Sequence, residues 1–332
     1  MLIVSAIGVF ISSLLVAFIV ARVAIGLFKS IGHVGVDVHK PCRVEAAESV
    51  GVSVLAGLIA GSAFLFFEGY RVEALAFSLS ILISGIIGIM DDFLVLNARL
   101  KILLGTLPAV PVLLLGVYEP RPLVPMDRFA RLTIVYPLAL PIVYTVSTNG
   151  FNMYDTHNGV MLSSALIMSL AMAVAGYMQY NAGVEGSELA LILGLAIAGA
   201  SLGMLYYNLY PSKAFNGDVG SFTVGAAVAS AAIMGRVEAV ALIAGLPIAL
   251  NGFLKISSIG FKERRSFERP VELRGWLIKS RLSERAPLSL PALITSRTPL
   301  SEPELVIALI MLTWLSSSTA LVTIYLTLGG LA

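Results

Sequence analysis

Two adjacent carboxylates, Asp91 and Asp92, close the apolar run "GIMDDFLVLNARLK", and Lys101 stands ten residues beyond the first of them. A charged side chain at membrane depth costs roughly 2.5–3.5 kcal/mol on insertion scales. The pair is therefore either a solvated helix end or one wall of a site where a cation compensates. A helix C-terminus already carries partial negative charge, so a metal or Lys101 would have to supply that compensation. A second stretch, "STNGFNMYDTHNGVML", sets Asn149, Asn152, Asp155 and Asn158 three apart, a spacing that places helical residues on one face. Amide and carboxylate oxygens are the hard ligands that Mg²⁺ accepts beside substrate phosphates. The same residues also suit helix capping and the Asn158-Gly159 turn. His157 in that stretch could bond a phosphate or face water, and His33 and His39 carry less argument still.

A third stretch, "NLYPSKAFNGDVGSFTVG", holds Phe215, Gly217, Asp218, Gly220 and Ser221. Glycines beside one aspartate let backbone approach a ligand closely. Asp218, just ahead of a helix, can cap it or reach a metal, and Phe215 can stack on a flat ring or plug a helix bundle. Taken together, the three stretches suit a divalent-metal site for a phosphorylated ligand.

The elements that must position these residues are membrane helices. Of 332 residues 58% are hydrophobic and 13% charged, against roughly 45–50% and about 25% in soluble domains. Since about 20 apolar residues cross a bilayer, ten spans are expected, near 1–28, 49–67, 73–90, 101–117, 133–149, 159–178, 188–207, 219–235, 237–259 and 304–330. The fold class is thus an all-α polytopic membrane protein, read as one catalytic domain over 1–332. The first run lacks a basic leader and is read as a retained span. Gly199 and Gly203 mark close helix packing.

Loops after the odd-numbered spans carry Lys29, Lys40, Arg43, Arg99, Lys101, Lys213 and ten further basic residues from Lys255 to Arg297, sixteen in all, against five on the other side. By the positive-inside rule the first set is cytoplasmic and both termini lie on the outer face. All three stretches fall in that set. The extended cytoplasmic loop 260–303 is too long for a simple turn. Within it "VELRGWLIKSRL" is expected as a short amphipathic piece at the interface, anchored by Trp276, or as irregular chain. A net charge of +2 excludes an electrostatic case for nucleic acid. The single cysteine, Cys42, excludes an internal disulfide.

The residues resemble the polyprenyl-phosphate N-acetylhexosamine-1-phosphate transferases, membrane enzymes of ten helices. The resemblance spans nearly the whole chain through "DVHKP" and "EAAESVG", "DDFLVLNARLKILL", "NGFNMYDTHNG" and "NLYPSKAFNGDVGS". Its form is closer to the archaeal and eukaryotic branch that makes dolichyl-linked N-acetylglucosamine. The resemblance implies transfer of a sugar 1-phosphate from UDP-N-acetylglucosamine to a polyprenyl or dolichyl phosphate with release of UMP. It implies Mg²⁺, or Mn²⁺, on Asn152 and Asp218, a phosphate clamp at Lys101, and Asp91 or Asp92 at the lipid phosphate. Asn158 and Phe215 would bind uracil. Asn149, Asp155, Lys40, Glu48, Arg265 and Arg269 complete the implied substrate contacts, and a homodimer is compatible with it.

The chain departs from the family in its last cytoplasmic loop. It lacks both the histidine-rich motif of the bacterial branch and the Pro-Arg-His-Arg motif of the eukaryotic one, and offers "FKERRSFERPVELRGW" with Arg264, Arg265, Arg269 and Arg274. Guanidinium forks match phosphate oxygens, and they equally suit anionic lipid. Two other classes compete: a cation or solute transporter, which would carry acids deep inside its spans, and a non-catalytic lipid-binding protein.

Overall fold

The computed structural model describes residues 2–124, 130–260, 267–281 and 283–329. Helix occupies every segment read as a span. The first helix, α1 (Leu2–Ser30), shows how these helices are built: its buried positions are Ser5, Ala6, Val9, Ser13, Ala17, Ala21 and Ala24, while Ile7, Ile11, Leu15, Ile19 and Val23 face outward. Small residues inside and large apolar residues outside is the pattern of helices packed in lipid, where close backbone approach replaces hydrophobic sorting.

The chain continues through α2 (Val52–Phe67), α3 (Arg71–Leu94), α4 (Ala98–Leu104), α5 (Ala109–Leu115), α6 (Val135–Tyr154), α7 (Val160–Asn181), α8 (Glu188–Asn208), α9 (Gly217–Met234), α10 (Glu238–Ala244), α11 (Leu246–Ile259), the short α12 (Leu290–Ile294) and α13 (Glu302–Gly329). Among the described residues seven helical spans are long and apolar enough to cross a membrane, or eight with the bent pair α10–α11. The chain is therefore a polytopic, mostly helical membrane protein. Helix α2 is short, and α6 carries Thr145, Ser147, Thr148, Asn149 and Asn152 along its length. Two expected spans are divided. The fourth breaks between Gly105 and Pro108, and the ninth bends by 62° at Gly245, ahead of Pro247. A proline lacks the N–H that would continue the helix ladder.

Helix α9 is the shaft of the fold. Every residue from Val219 to Met234 is buried, with α3 and α6 packed along it and α2, α7, α8 and α10 closing the rest. Its run of Gly, Ala, Ser and Thr keeps those neighbours near. Where α3 crosses α9, Gly88 makes the closest approach: a Cβ there would lie 2.5 Å from Val219 Cα and 2.6 Å from the Asp218 carbonyl oxygen. Because both obstacles are backbone, Gly88→Ala should push the two helices apart at a cost of about 1–3 kcal/mol. A lowered thermal midpoint in detergent is the expected reading, and an unchanged one would remove this contact from the account.

Among the described residues, strands occur in two loops. In the first, β1 (Val34–Val36) pairs antiparallel with β2 (Glu45–Ala47), and Ala47 bridges in parallel to Ala214. In the last long loop, β3 (Val271–Arg274) pairs with β4 (Leu277–Ser280), which pairs with β5 (Leu300–Ser301). The segment expected as an amphipathic piece or irregular chain is thus a β-hairpin. Gly275, at φ +63°, opens its two-residue turn, the position a hairpin turn reserves for glycine.

Candidate functional site

The chain reverses sharply between Asp91 and Lys101. Val95 caps α3 in the left-handed region, and Asp91 Oδ1 accepts the Leu96 N–H at 2.7 Å. Asn97 then caps α4 by accepting from the Leu100 N–H at 2.9 Å. This turn brings Lys101 back onto the end of α3. There its ammonium pairs with the buried Asp91 carboxylate and, at 3.1 Å, with Asp218. Asn152, in the last turn of α6, donates to Asp218 Oδ1 at 2.6 Å and to Ser221 Oγ at 3.0 Å. Four residues from four helices thereby meet at the N-terminus of α9.

The adjacent aspartates do different things, because successive helical residues point about 100° apart. Asp91 faces Lys101. Asp92 faces α9, where its two oxygens accept the N–H groups of Asp218 at 2.7 Å and Val219 at 3.3 Å. It caps α9 from outside the helix, so those first donors are already engaged. Asn149 lies one turn before Asn152 and donates to the Thr145 carbonyl at 2.8 Å.

Asp155, just past the end of α6, accepts from Asn216 Nδ2 at 3.0 and 3.2 Å. Burial raises its carboxyl to about 7; the Asn216 bond opposes this, while the negative charges of Asp218, Glu48 and Asp92 add to it. That Asp155 feels three further carboxylates shows how acidic the site is. Glu48 and Phe215 meet against Gly35, where a Cβ would collide with the Glu48 carboxylate and lie 3.1 Å from the Phe215 ring. The strand-like bonds Phe215 N to Ala47 O, 2.8 Å, and Val50 N to Phe215 O, 2.9 Å, hold the two segments side by side.

A second polar cluster adjoins the first. Lys40 pairs with Asp37 at 3.0 Å and with Glu302, all three side chains nearly inaccessible. Asn158 donates through its amide to Asp37 Oδ2 at 2.9 Å and through its backbone N–H to Glu302 Oε1 at 3.0 Å. Burial works to raise the Asp37 carboxyl, but bonds from Asn158, Lys40 and the His39 backbone carry it below its ordinary value. Burial likewise works against the Lys40 ammonium, and Glu302 and Asp37 more than offset it. His39 stacks on His157 with centroids 4.2 Å apart. Burial drives His39 down to about 4; Asp37 resists this, while Lys40 and Arg269 assist. Arg269 therefore lies within electrostatic reach of this cluster. Asn208 joins the two clusters, its Oδ1 accepting from the Gly159 N–H at 3.1 Å and from Asn216 at 3.4 Å.

Of the residues singled out in the sequence, Asp91, Asp92, Lys101, Asn152 and Asp218 converge directly, with Asn149, Asp155, Glu48 and Phe215 around them. Lys40, Asn158, His157 and Arg269 belong to the adjoining cluster. Arg274 lies on the hairpin, paired with Glu272 at 2.8 Å. Arg264 and Arg265 lie outside the described residues. Sequence reasoning missed Asp37, Asn208, Asn216 and Glu302. Glu302 reads in sequence as an ordinary acid at a helix start, which the helix dipole favours anyway; the other three sat inside quoted stretches without drawing notice.

A polytopic membrane protein that gathers acids, amides and one lysine at the ends of its spans is equipped to bind a phosphorylated ligand at the membrane surface. Residues 74–236, which run from α3 through α9, match the sequence profile of glycosyl transferase family 4. The chain is 28% identical over 265 residues to a Sulfolobus acidocaldarius protein provisionally named UDP-N-acetylglucosamine–dolichyl-phosphate N-acetylglucosaminephosphotransferase, covering 76% of this chain and 79% of that one. A protein of Saccharolobus solfataricus with the same provisional name is 27% identical over 226 residues, 67% of this chain and 69% of its own. A Bacteroides fragilis phospho-N-acetylmuramoyl-pentapeptide-transferase is 30% identical over 164 residues, 47% of this chain and 37% of that one.

Proposed function

We propose that this protein transfers N-acetylglucosamine 1-phosphate from UDP-N-acetylglucosamine to a polyprenyl phosphate of the dolichyl type, releasing UMP, as a first step of lipid-linked glycan assembly. The observation that carries this reading is the convergence of Lys101 and Asn152 on Asp218 beside Asp91. The names of the archaeal relatives support it. The reading further takes ten crossings, counting α2 and α6, with both termini on the outer face of the cell membrane and the site at the cytoplasmic surface. The basic loops on the site's side support that orientation.

The residues fit a divalent cation. Lys101 meets two carboxylates, Asp91 and Asp218, and the charge of Asp218 is also felt by Asp92 and Asp155, an excess of negative charge that a bound cation would relieve. Asp218 is a hard oxygen ligand, and the neighbouring Asn152 amide, turned by half a rotation, offers a second. These two would hold Mg²⁺ or Mn²⁺, which would neutralise charge on the sugar-nucleotide pyrophosphate. The chain's own groups do the rest. Lys101, oriented by Asp91, binds a phosphate oxygen. Asp92 occupies the first donors of α9, so phosphate recognition falls to side chains rather than to that helix terminus. The attacking lipid phosphate is already anionic near neutral pH and needs no strong base. Phe215 offers a ring face to uracil beside Glu48, and Asn158, with its amide NH₂ committed to Asp37, offers a carbonyl oxygen to an imide N–H.

Purified protein given Mg²⁺, dolichyl phosphate and a panel of UDP-sugars should release UMP with UDP-N-acetylglucosamine as the preferred donor. Release with none of the UDP-N-acetylhexosamines would sink the reading, and preference for another one would correct the sugar alone.

A further inference from the structure

The β3–β4 hairpin takes no part in the site, yet its end is exposed and apolar: Trp276 is 60% and Leu277 44% accessible. Its register fixes its depth. Leu277 pairs with Ser301, the residue immediately before α13, so the turn lies about 5 Å from the point where that helix begins. The first turn of α13 is at the aqueous boundary, since Glu302 belongs to the polar cluster. Five residues on, Ile307 is already exposed, and Met311, Trp314 and Leu315 continue that outward apolar face. Hydrocarbon therefore starts roughly 7 Å along the helix, and a headgroup layer is itself about 5–7 Å deep. The hairpin turn is at the level of that layer. Its composition fits: tryptophan prefers the interface, where its ring is buried and its N–H stays wet, and Arg274, paired with Glu272 at 2.8 Å, together with Lys279 leaves the two strands a net positive charge suited to lipid phosphates.

We propose that the hairpin turn, Arg274 to Leu277, is seated in the headgroup layer beside the start of α13, with Trp276 as its anchor to the lipid surface. The hairpin then straps the long loop to the membrane next to Glu302, and the strap is independent of what the site binds.

The chain has two tryptophans, so each can be read alone. Full-length Trp314→Phe protein in liposomes leaves Trp276 as the sole emitter. Its emission should be blue-shifted, quenched most by a headgroup spin label, and shielded from aqueous iodide. Trp276→Phe protein supplies the internal standard, because Trp314 lies about 18 Å along α13 and should respond most to a label deep in the acyl chains. Red-shifted Trp276 emission quenched by iodide and not by lipid labels would overturn the proposal, as would quenching strongest with the deep label.

Discussion

Asp218→Asn should lose about 10²–10³-fold of turnover, the scale seen when one preorganised electrostatic contact to a transition state is removed, while its thermal midpoint stays close to that of the parent protein. The substitution is isosteric and keeps an oxygen for the Asn152 amide at the position now 2.6 Å away. Lys101 keeps Asp91 as its counter-ion. Only charge is removed, at the atom where a cation and a phosphate would meet. Asp92→Ala should behave oppositely. It strips the cap from two N–H groups at the head of α9, which costs about 0.5–2 kcal/mol, so the midpoint falls, and turnover falls only as Asp218 loses its placement. Turnover and detergent unfolding measured on both variants separate the two roles. A stable, inactive Asp92→Ala beside an active Asp218→Asn would reverse the assignment.

Why the neighbours differ was not legible in "DD". Their adjacency is in the sequence, but the direction each carboxylate takes depends on where α9 lies, and that is set by Gly88 and the small-residue face of α9. The helical segments were legible, because apolar runs of membrane length have few other readings. Where a run was interrupted by Gly and Pro, as at Gly105 and Gly245, length alone could not show that the helix would divide. An exposed tryptophan such as Trp276 suits an amphipathic piece and a hairpin turn alike, and the signal that separates them is Gly275: "VELR" and "LIKS" around a Gly-first two-residue turn is a strand pattern. The convergence of Lys101, Asn152 and Asp218 could be anticipated from three loops on one side of the membrane. The partnership of Lys40 with Glu302 could not, since 262 positions separate them and neither residue type demands the other.

That partnership carries the second large effect. Lys40→Met should destabilise the protein by about 3–5 kcal/mol, because it leaves Asp37 and Glu302 buried without their cation. The triple variant Lys40→Met, Asp37→Asn, Glu302→Gln should recover most of that loss, since removing every charge of a buried network costs far less than removing one. Its function should not recover in step. With Asp37 neutral, the Asn158 amide is no longer compelled to spend its NH₂ on that side chain, so it can present either end to a base. Discrimination between uracil, which offers an N–H, and cytosine, which offers a lone pair there, should weaken, and KM for the sugar nucleotide should rise more than kcat falls. Comparing UMP with CMP as inhibitors of the triple variant and the parent protein reads this directly. Equal preference for uracil in both would mean that Asn158 is held for the fold and that the base is read elsewhere.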